Sequence, residues 1–270
     1  MVRMTVPVSS EQKTQSREQE EQQQKLIVAS KKEVVDHAPG LIILYSDGSF
    51  ERPSDLDVPA CADFDSSHTG VATRDVVVDG AAEGVWARIF LPRSALSLAR
   101  RSLPVVLHFH GGGFCVGSPA SAHVHRTCAR MANKSSCIWI SLYYRLAPEH
   151  PLPAAYNDGV SALMWLRSQA LFGEMRERDP GIGLPEGEAF AAKKADPCFL
   201  SGDSAGGTIV HYVAAMVDGE NLSPLQIKGM LLIHPAFPQE APGASVELSN
   251  AMVSFYHKSA LPAGRLSGTL

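Results

Sequence analysis

The sequence predicts an α/β fold in which helices cover both faces of a mostly parallel central sheet. Short apolar runs of strand-like composition recur along the chain, and a stripe of helical period follows two of them. Strands that alternate with helices in this way are typical of a parallel sheet with two covered faces. The chain has 270 residues, 45% of them hydrophobic, which is enough for one large domain with a buried core.

The individual elements can be assigned from these runs. The predicted strands are short and apolar, and they lie at residues 41–44, 71–78, 85–91, 104–109, 137–142, 198–200 and 227–233. The pair Asp47-Gly48, which separates the first strand from Phe50, predicts a hairpin turn. Two stripes with the i, i+4, i+7, i+8 spacing predict amphipathic helices, one over 156–164 and one over 209–217. Residues 173–196 are charged and rich in Gly and Pro, so we expect a surface loop there.

The two ends of the chain differ in character from its middle. Residues 11–25 contain no apolar side chain, so we expect residues 1–25 to form a disordered polar tail. Order should begin near Leu26, and residues 26–270 are predicted to form the domain. No convincing strand follows Ile233, so we expect the last strands of the sheet to be missing from this chain.

Composition excludes several classes of function. The net charge is −4 and no long basic run occurs, which argues against nucleic acid as a partner. The five cysteines include no CxxC pair, so neither a disulfide framework nor a zinc site is expected. No apolar run approaches the ~18 residues of a membrane span, and no apolar leader follows Met1. We therefore expect no membrane partner and a cytoplasmic location, with the nucleus as an additional location.

The sharpest motif is GDSAGG at residues 202–207, between a predicted strand and a predicted helix. In that context G-x-S-x-G is the signature of a nucleophile elbow, a tight turn that exposes a serine hydroxyl. The serine is Ser204. The structural alternative is a glycine-rich turn without chemistry, which a bare G-x-S-x-G match would favour.

A second motif, HGGGF at residues 110–114, directly follows a buried strand. Consecutive glycines expose backbone N–H groups, and acyl transfer needs such donors where the carbonyl oxygen becomes negative. A flexible turn is the alternative explanation. The presence of an elbow in the same chain favours the catalytic interpretation.

These motifs resemble the hormone-sensitive-lipase-like branch of the α/β-hydrolases. That branch carries HGGGF, then YRLAPEHPLPAAYND at residues 144–158, then GDSAGG, in the order found here. The upstream stretches LIILYSDGSFERP, HTGVATRDVVVD and ARIFLP look like the plant carboxylesterase group within the branch, to which the gibberellin receptors also belong. The resemblance covers roughly residues 34–265.

The resemblance implies a role for each matching position. Ser204 matches the nucleophile, and the backbone N–H groups of Gly112, Gly113 and Ala205 match the oxyanion hole. Glu149, Asp158 and Asp203 match positions that are structural rather than catalytic. The region near residues 26–50 would supply part of a cap over the pocket. The complete form of such an esterase needs no metal or cofactor.

The acid and the base of the catalytic triad have no counterpart in this sequence. The order in this fold is Ser, then Asp or Glu, then His, and the only aspartate after Ser204 is Asp218, in the turn after the elbow helix. His211, His234 and His257 are expected to be packing or surface residues, with a surrogate base among them as the alternative. We therefore expect this chain to be weakly active or inactive.

Two functions agree with these observations. The first is hydrolysis of a small-molecule carboxylic ester through an acyl-Ser204 intermediate. The second is binding of a hormone-like ligand in the manner of the gibberellin receptors, which keep the elbow but lose the catalytic histidine. The motifs favour the esterase, because the receptors carry a serine within each of the two glycine-rich motifs.

Overall fold

The described part of the chain divides into two compact units. A computed structural model describes residues 32–38, 42–52, 56–63, 69–78, 84–94, 103–178, 197–235 and 237. The boundary between the units falls at Glu51 and Arg52. The predicted polar tail over 1–25 lies outside the described residues, and a cap formed by residues 26–50 stays a prediction.

The first unit contains a three-stranded antiparallel sheet. Its strands are β1 (Val34–Ala38), β2 (Ile42–Tyr45) and β3 (Phe50–Glu51). The predicted hairpin turn is confirmed between β2 and β3, where Gly48 has a positive φ of 80° and the Ser49 N–H donates to Asp47 Oδ1 over 2.9 Å. The sequence does not predict β1, because its two valines are exposed and give no buried apolar run.

The second unit is built on a six-stranded sheet. The strands, in chain order, are β4 (Val71–Val77), β5 (Trp86–Pro92), β6 (Val105–Phe109), β7 (Ile138–Tyr143), β8 (Cys198–Asp203) and β9 (Ile227–Ile233). Their order across the sheet is β4-β5-β7-β6-β8-β9. The β4–β5 and β5–β7 pairs are antiparallel, whereas β7, β6, β8 and β9 run parallel. The prediction of a mostly parallel central sheet is confirmed.

Three helices connect the parallel strands. They are α1 (Ala122–Ser135), α2 (Ala154–Arg178) and α3 (Ala205–Met216). The connection from β6 to β7 and the connection from β8 to β9 move in opposite directions across the sheet. Because such crossovers are right-handed, α1 and α3 cover opposite faces.

Alternate residues of the central strand β6 demonstrate the two covered faces. Val106 packs with Trp139 and with Cys128 of α1 on one face. Phe109 lies on the other face, where it is close to Gly159 of α2 and to Val213 of α3. A carbon added at Gly159 would lie 2.5 Å from Val213, so only glycine allows α2 and α3 to pack this closely.

Two predictions about helices need correction. The predicted loop over 173–196 is wrong for residues 173–178, because α2 continues to Arg178; the Glu, Met and Arg residues of this segment favour a helix. The rest of the predicted loop, residues 179–196, lies outside the described residues. The helix α1 is absent from the sequence-based prediction altogether.

Candidate functional site

Ser204 occupies the turn between β8 and α3, at the carboxyl edge of the parallel strands. Its backbone has φ 50° and ψ −120°, a strained combination for a residue with a side chain. Its N–H donates to the carbonyl of Ile233 over 2.8 Å, which fixes the turn against the end of β9. The Ser204 side chain makes no capping bond to α3, so the helix does not use the hydroxyl.

The two glycines that flank Ser204 are required by contacts between backbone segments. A carbon added at Gly202 would lie 2.2 Å from the carbonyl oxygen of Gly206. One added at Gly206 would lie 2.0 Å from the carbonyl oxygen of Phe109, at the end of β6. The strand, the turn and the helix therefore approach each other more closely than any side chain allows.

The second glycine-rich segment forms a loop after β6. Gly112, Gly113 and Phe114 all have positive φ, at 120°, 58° and 64°. The carbonyl of Gly112 points into the loop, where it accepts the N–H groups of Cys115 and Val116, each over 3.0 Å. Among the described residues, no backbone hydrogen bond uses the N–H of Gly112 or of Gly113.

The fold brings this loop next to the elbow. β6 and β8 are neighbours with Phe109 opposite Gly202, so the segments that follow both strands leave the same edge of the sheet. The N–H of Gly111 donates to Asp203 Oδ1 over 3.1 Å, which joins the start of the loop to the residue before Ser204. Ser204, Ala205, Gly112 and Gly113 thus follow neighbouring strands at one edge.

Asp203 and His108 form a polar cluster beneath the elbow. Burial raises the pKa of the half-exposed Asp203 carboxyl, and the bond from Gly111 opposes that rise. Burial lowers the pKa of His108 to about 3, so the imidazole is neutral. The 3.7 Å contact between His108 Nε2 and Asp203 Oδ1 is therefore not an ion pair, and His108 Nδ1 lies 3.3 Å from the Ser201 hydroxyl. These contacts agree with a structural role for Asp203, which stays a prediction.

A buried tyrosine fixes the first residue of the loop. The Tyr144 hydroxyl donates to the carbonyl of His110 over 2.8 Å, and the two rings stack with centroids 4.4 Å apart. Burial raises the pKa of Tyr144 well above its usual value, so the hydroxyl remains a donor. Tyr144 begins the YRLAPEHPLPAAYND segment, in which the family resemblance implies structural roles for Glu149 and Asp158.

The two carboxylates of that segment form ion pairs. Asp158 is buried and binds the Arg145 guanidinium, with Nη2 to Oδ1 at 2.6 Å, and it accepts the Arg145 backbone N–H over 2.8 Å. Glu149 binds Arg52, with Nη1 to Oε1 at 2.7 Å. Both pairings agree with structural roles. The sequence analysis does not single out Arg52 within the stretch LIILYSDGSFERP, since nothing there indicates the distant groups that it bonds.

None of the three candidate histidines is bonded to the nucleophile in the described residues. His211 is exposed and packs against the rings of Tyr212 and Phe237, with centroids 5.3 and 5.1 Å apart. His234 directly follows β9 with a positive φ of 47° and an exposed side chain. His257 lies outside the described residues. A surrogate base among them stays the untested alternative to their predicted packing or surface roles.

Two kinds of feature are absent from the described residues. No group of three or more His, Cys, Asp or Glu side chains there could hold a metal ion. No helix of that part is long and apolar enough to cross a membrane. The absence of a cofactor stays a prediction.

Comparison with known proteins identifies relatives of this chain. A family described as alpha/beta hydrolase fold matches residues 106–265. "Probable carboxylesterase 6" of Arabidopsis thaliana is 40% identical over 210 residues, which are 77% of this chain and 56% of the relative. "Tuliposide A-converting enzyme b1, amyloplastic" of Tulipa gesneriana is 37% identical over 206 residues, 75% of this chain and 48% of the relative. The chain thus spans about half the length of these relatives. Because the name of the Tulipa gesneriana relative places that protein in the amyloplast, the cytoplasmic location of this chain stays a prediction.

Solved structures give the same result. An ester-hydrolase from the metagenome of Lake Arreo, complexed with a derivative of bipyridine phosphonate, is 30% identical with a TM-score of 0.56, covering 80% of this chain and 59% of its own. The esterase of Pyrobaculum calidifontis is 27% identical with a TM-score of 0.53, covering 70% of this chain and 56% of its own. The predicted resemblance to plant carboxylesterases is confirmed.

Proposed function

The chain belongs to the α/β-hydrolase family, in its plant carboxylesterase group, and from this we propose that it cleaves small-molecule carboxylic esters with Ser204 as the nucleophile. The observation that carries the proposal is the strained conformation of Ser204 beside the glycine-rich loop. Backbone strain at a position with a reactive side chain is a common property of catalytic nucleophiles.

The proposed reaction proceeds in two stages. Ser204 Oγ attacks the ester carbonyl and gives its proton to solvent water, because no described residue is hydrogen-bonded to Ser204 as a base, and the oxyanion accepts hydrogen bonds from the N–H groups of Gly112, Gly113 and Ala205. Without the acid and base of the triad, this chain should hydrolyse esters only weakly. The tetrahedral intermediate then loses the alcohol, and water hydrolyses the acyl-Ser204 ester. Loss of one oxyanion donor typically costs ~10²–10³ in kcat, so the rate should depend strongly on the loop as well as on the hydroxyl.

The test is covalent labelling of Ser204 by an alkyl fluorophosphonate. The Ser204 Oγ–P bond forms, the P–F bond breaks, fluoride leaves and the hydroxyl proton passes to solvent. We expect one label per chain at Ser204, none in Ser204→Ala, and release of p-nitrophenolate from p-nitrophenyl acetate that depends on Ser204. Circular dichroism should show both proteins folded.

Equal labelling and equal hydrolysis in the wild-type chain and in Ser204→Ala would contradict the proposal. A receptor-like function, the second candidate from the sequence, predicts a different result. In that case a hormone-like ligand protects the chain against thermal unfolding while Ser204-dependent labelling is absent.

A further inference from the structure

We propose that Arg52 is a positioning residue that holds the end of the glycine-rich loop in the conformation needed to stabilise the oxyanion. The inference rests on the proposed function and extends it, because it assigns a role to a residue outside both glycine-rich motifs. Arg52 is far from the loop in sequence, 63 residues before Cys115.

The first step of the argument is the set of acceptors around the guanidinium. Arg52 Nε donates to the carbonyl of Cys115, in the glycine-rich loop. Arg52 Nη2 donates to the carbonyl of Ala147 over 2.6 Å, and both Nη atoms bind the Glu149 carboxylate. Three acceptors from two separate segments therefore share one planar donor, an arrangement that suits arginine and not lysine.

The second step is the direct contact between those two segments. The N–H of Ala147 donates to the carbonyl of Phe114 over 2.8 Å, next to the bond that Arg52 makes with Cys115. The loop end is thus fixed twice, once by this backbone bond and once through Arg52. The loop start is fixed by Tyr144 and by Asp203.

The third step concerns the energy of the conformation that is held. Gly112, Gly113 and Phe114 have positive φ in succession, and for Phe114 this conformation is unfavourable. Phe114 lies between Gly113 and the Arg52 acceptor Cys115, so the bonds at Cys115 and Phe114 counter its relaxation. Without Arg52, we expect the N–H groups of Gly112 and Gly113 to lose their alignment.

The carboxylate partner sets the orientation of Arg52 rather than contacting the loop. Burial is the largest single influence on the pKa of the Glu149 carboxyl and raises it, but the hydrogen bond and charge of Arg52, a backbone hydrogen bond and nearby His150 together lower the net pKa. Glu149→Gln keeps an oxygen acceptor for the guanidinium and leaves both carbonyl acceptors in place. It should therefore disturb the loop less than loss of the arginine.

The experiment compares Arg52→Ala, Arg52→Lys and Glu149→Gln with the wild-type chain, and uses Arg126→Ala as the matched control. Arg126 is exposed and its Nε bonds the Ala122 carbonyl within its own helix. Two quantities are measured: the rate of fluorophosphonate labelling, and hydrogen–deuterium exchange of a peptide spanning residues 110–117. Thermal melts establish that each variant is folded.

We expect Arg52→Ala to slow labelling by about 10–100-fold, since a misaligned oxyanion donor costs somewhat less than a deleted one. Exchange in the 110–117 peptide should rise by roughly tenfold while other peptides stay unchanged. Arg52→Lys should rescue part of both effects, Glu149→Gln should change both quantities less than Arg52→Ala does, and Arg126→Ala should stay within about twofold of wild type.

The outcomes separate this inference from the proposed function. Ser204-dependent labelling at an unchanged rate in Arg52→Ala would overturn the role of Arg52 and leave the esterase proposal intact. If the wild-type chain shows no Ser204-dependent labelling, the esterase proposal fails, and hydrogen–deuterium exchange alone then tests the role of Arg52. Unchanged exchange over 110–117 then refutes the role of Arg52, and faster exchange confined to that peptide supports it.

Discussion

Gly206→Ala offers the sharpest check on the geometry of the elbow. An added carbon would lie 2.0 Å from the carbonyl oxygen of Phe109 and 2.8 Å from that of His110. Real contacts of this kind are essentially never under 3.0 Å, so α3 and the end of β6 must separate by about 1 Å. Both neighbours are backbone atoms at the end of a central strand, which cannot rotate away.

The expected cost follows from these contacts. Overpacking a core costs ~1–3 kcal/mol, and a contact between two backbone segments belongs at the upper end of that range. The better helix propensity of alanine offsets at most about 1 kcal/mol. We therefore expect a net loss of about 2 kcal/mol in the free energy of unfolding, or about 1 M in the urea midpoint at a typical m-value of ~2 kcal/mol/M.

Urea unfolding followed by tryptophan fluorescence measures this loss. Gly229→Ala is the matched control, because its added carbon would lie 3.4 Å from the Phe199 ring, an ordinary contact. We expect the control to stay within about 0.5 kcal/mol of wild type. A Gly206→Ala chain as stable as the control would refute the close approach of elbow and strand.

Three further results are expected. Because the pKa of Asp203 is raised on folding, the protonated carboxyl contributes stability below about pH 4, and this stability is lost as pH rises through the pKa of the folded state. Urea midpoints measured between about pH 4 and 6 should therefore fall in the wild-type chain and fall less in Asp203→Asn. An equal fall in both chains would contradict the raised pKa of Asp203. Asp158→Asn, which breaks the buried pair with Arg145, should cost ~3 kcal/mol in the same urea assay, and a loss under about 1 kcal/mol would mean that the pair is not buried as described. Among the described residues, β9 pairs with a strand on one side only, and its Met230 is 51% exposed, so this edge of the sheet can pair with another chain. Met230→Lys should therefore reduce self-association measured by sedimentation. Equal sedimentation of the variant and the wild-type chain would exclude the β9 edge as the associating surface.

The central strands can be predicted because they are buried on both faces. All five residues of β6 and five of the six residues of β7 are buried, so these strands form continuous apolar runs in the sequence. The strands that carry the candidate site are therefore recognisable from their composition alone. Only the length of β8 is underestimated in this way, since the strand continues through Gly202 to Asp203.

The helix α1 escapes prediction for the opposite reason. Its buried positions are Val124, Cys128, Ala129 and Ala132, which include a single large aliphatic side chain. Small residues suit the close packing of α1 on the sheet, but they form no stripe of large apolar side chains, which is the signal that predicts the other two helices. A helix whose buried face consists of small residues is missed when the sequence is searched for large apolar residues at helical spacing.

The residues of the candidate site also differ in whether the sequence alone predicts them. Glycines at Gly112 and Gly206 can be interpreted from the sequence, because a positive φ or a backbone contact imposes the residue type locally. Tyr144 and Arg52 act on the loop through contacts that join residues 34 and 63 positions apart. Both residues lie in stretches that carry the family resemblance, but nothing in those stretches indicates which distant carbonyl each side chain bonds. Sequence can therefore predict which backbone groups belong to the proposed site, whereas the side chains that bond the loop emerge only from the fold.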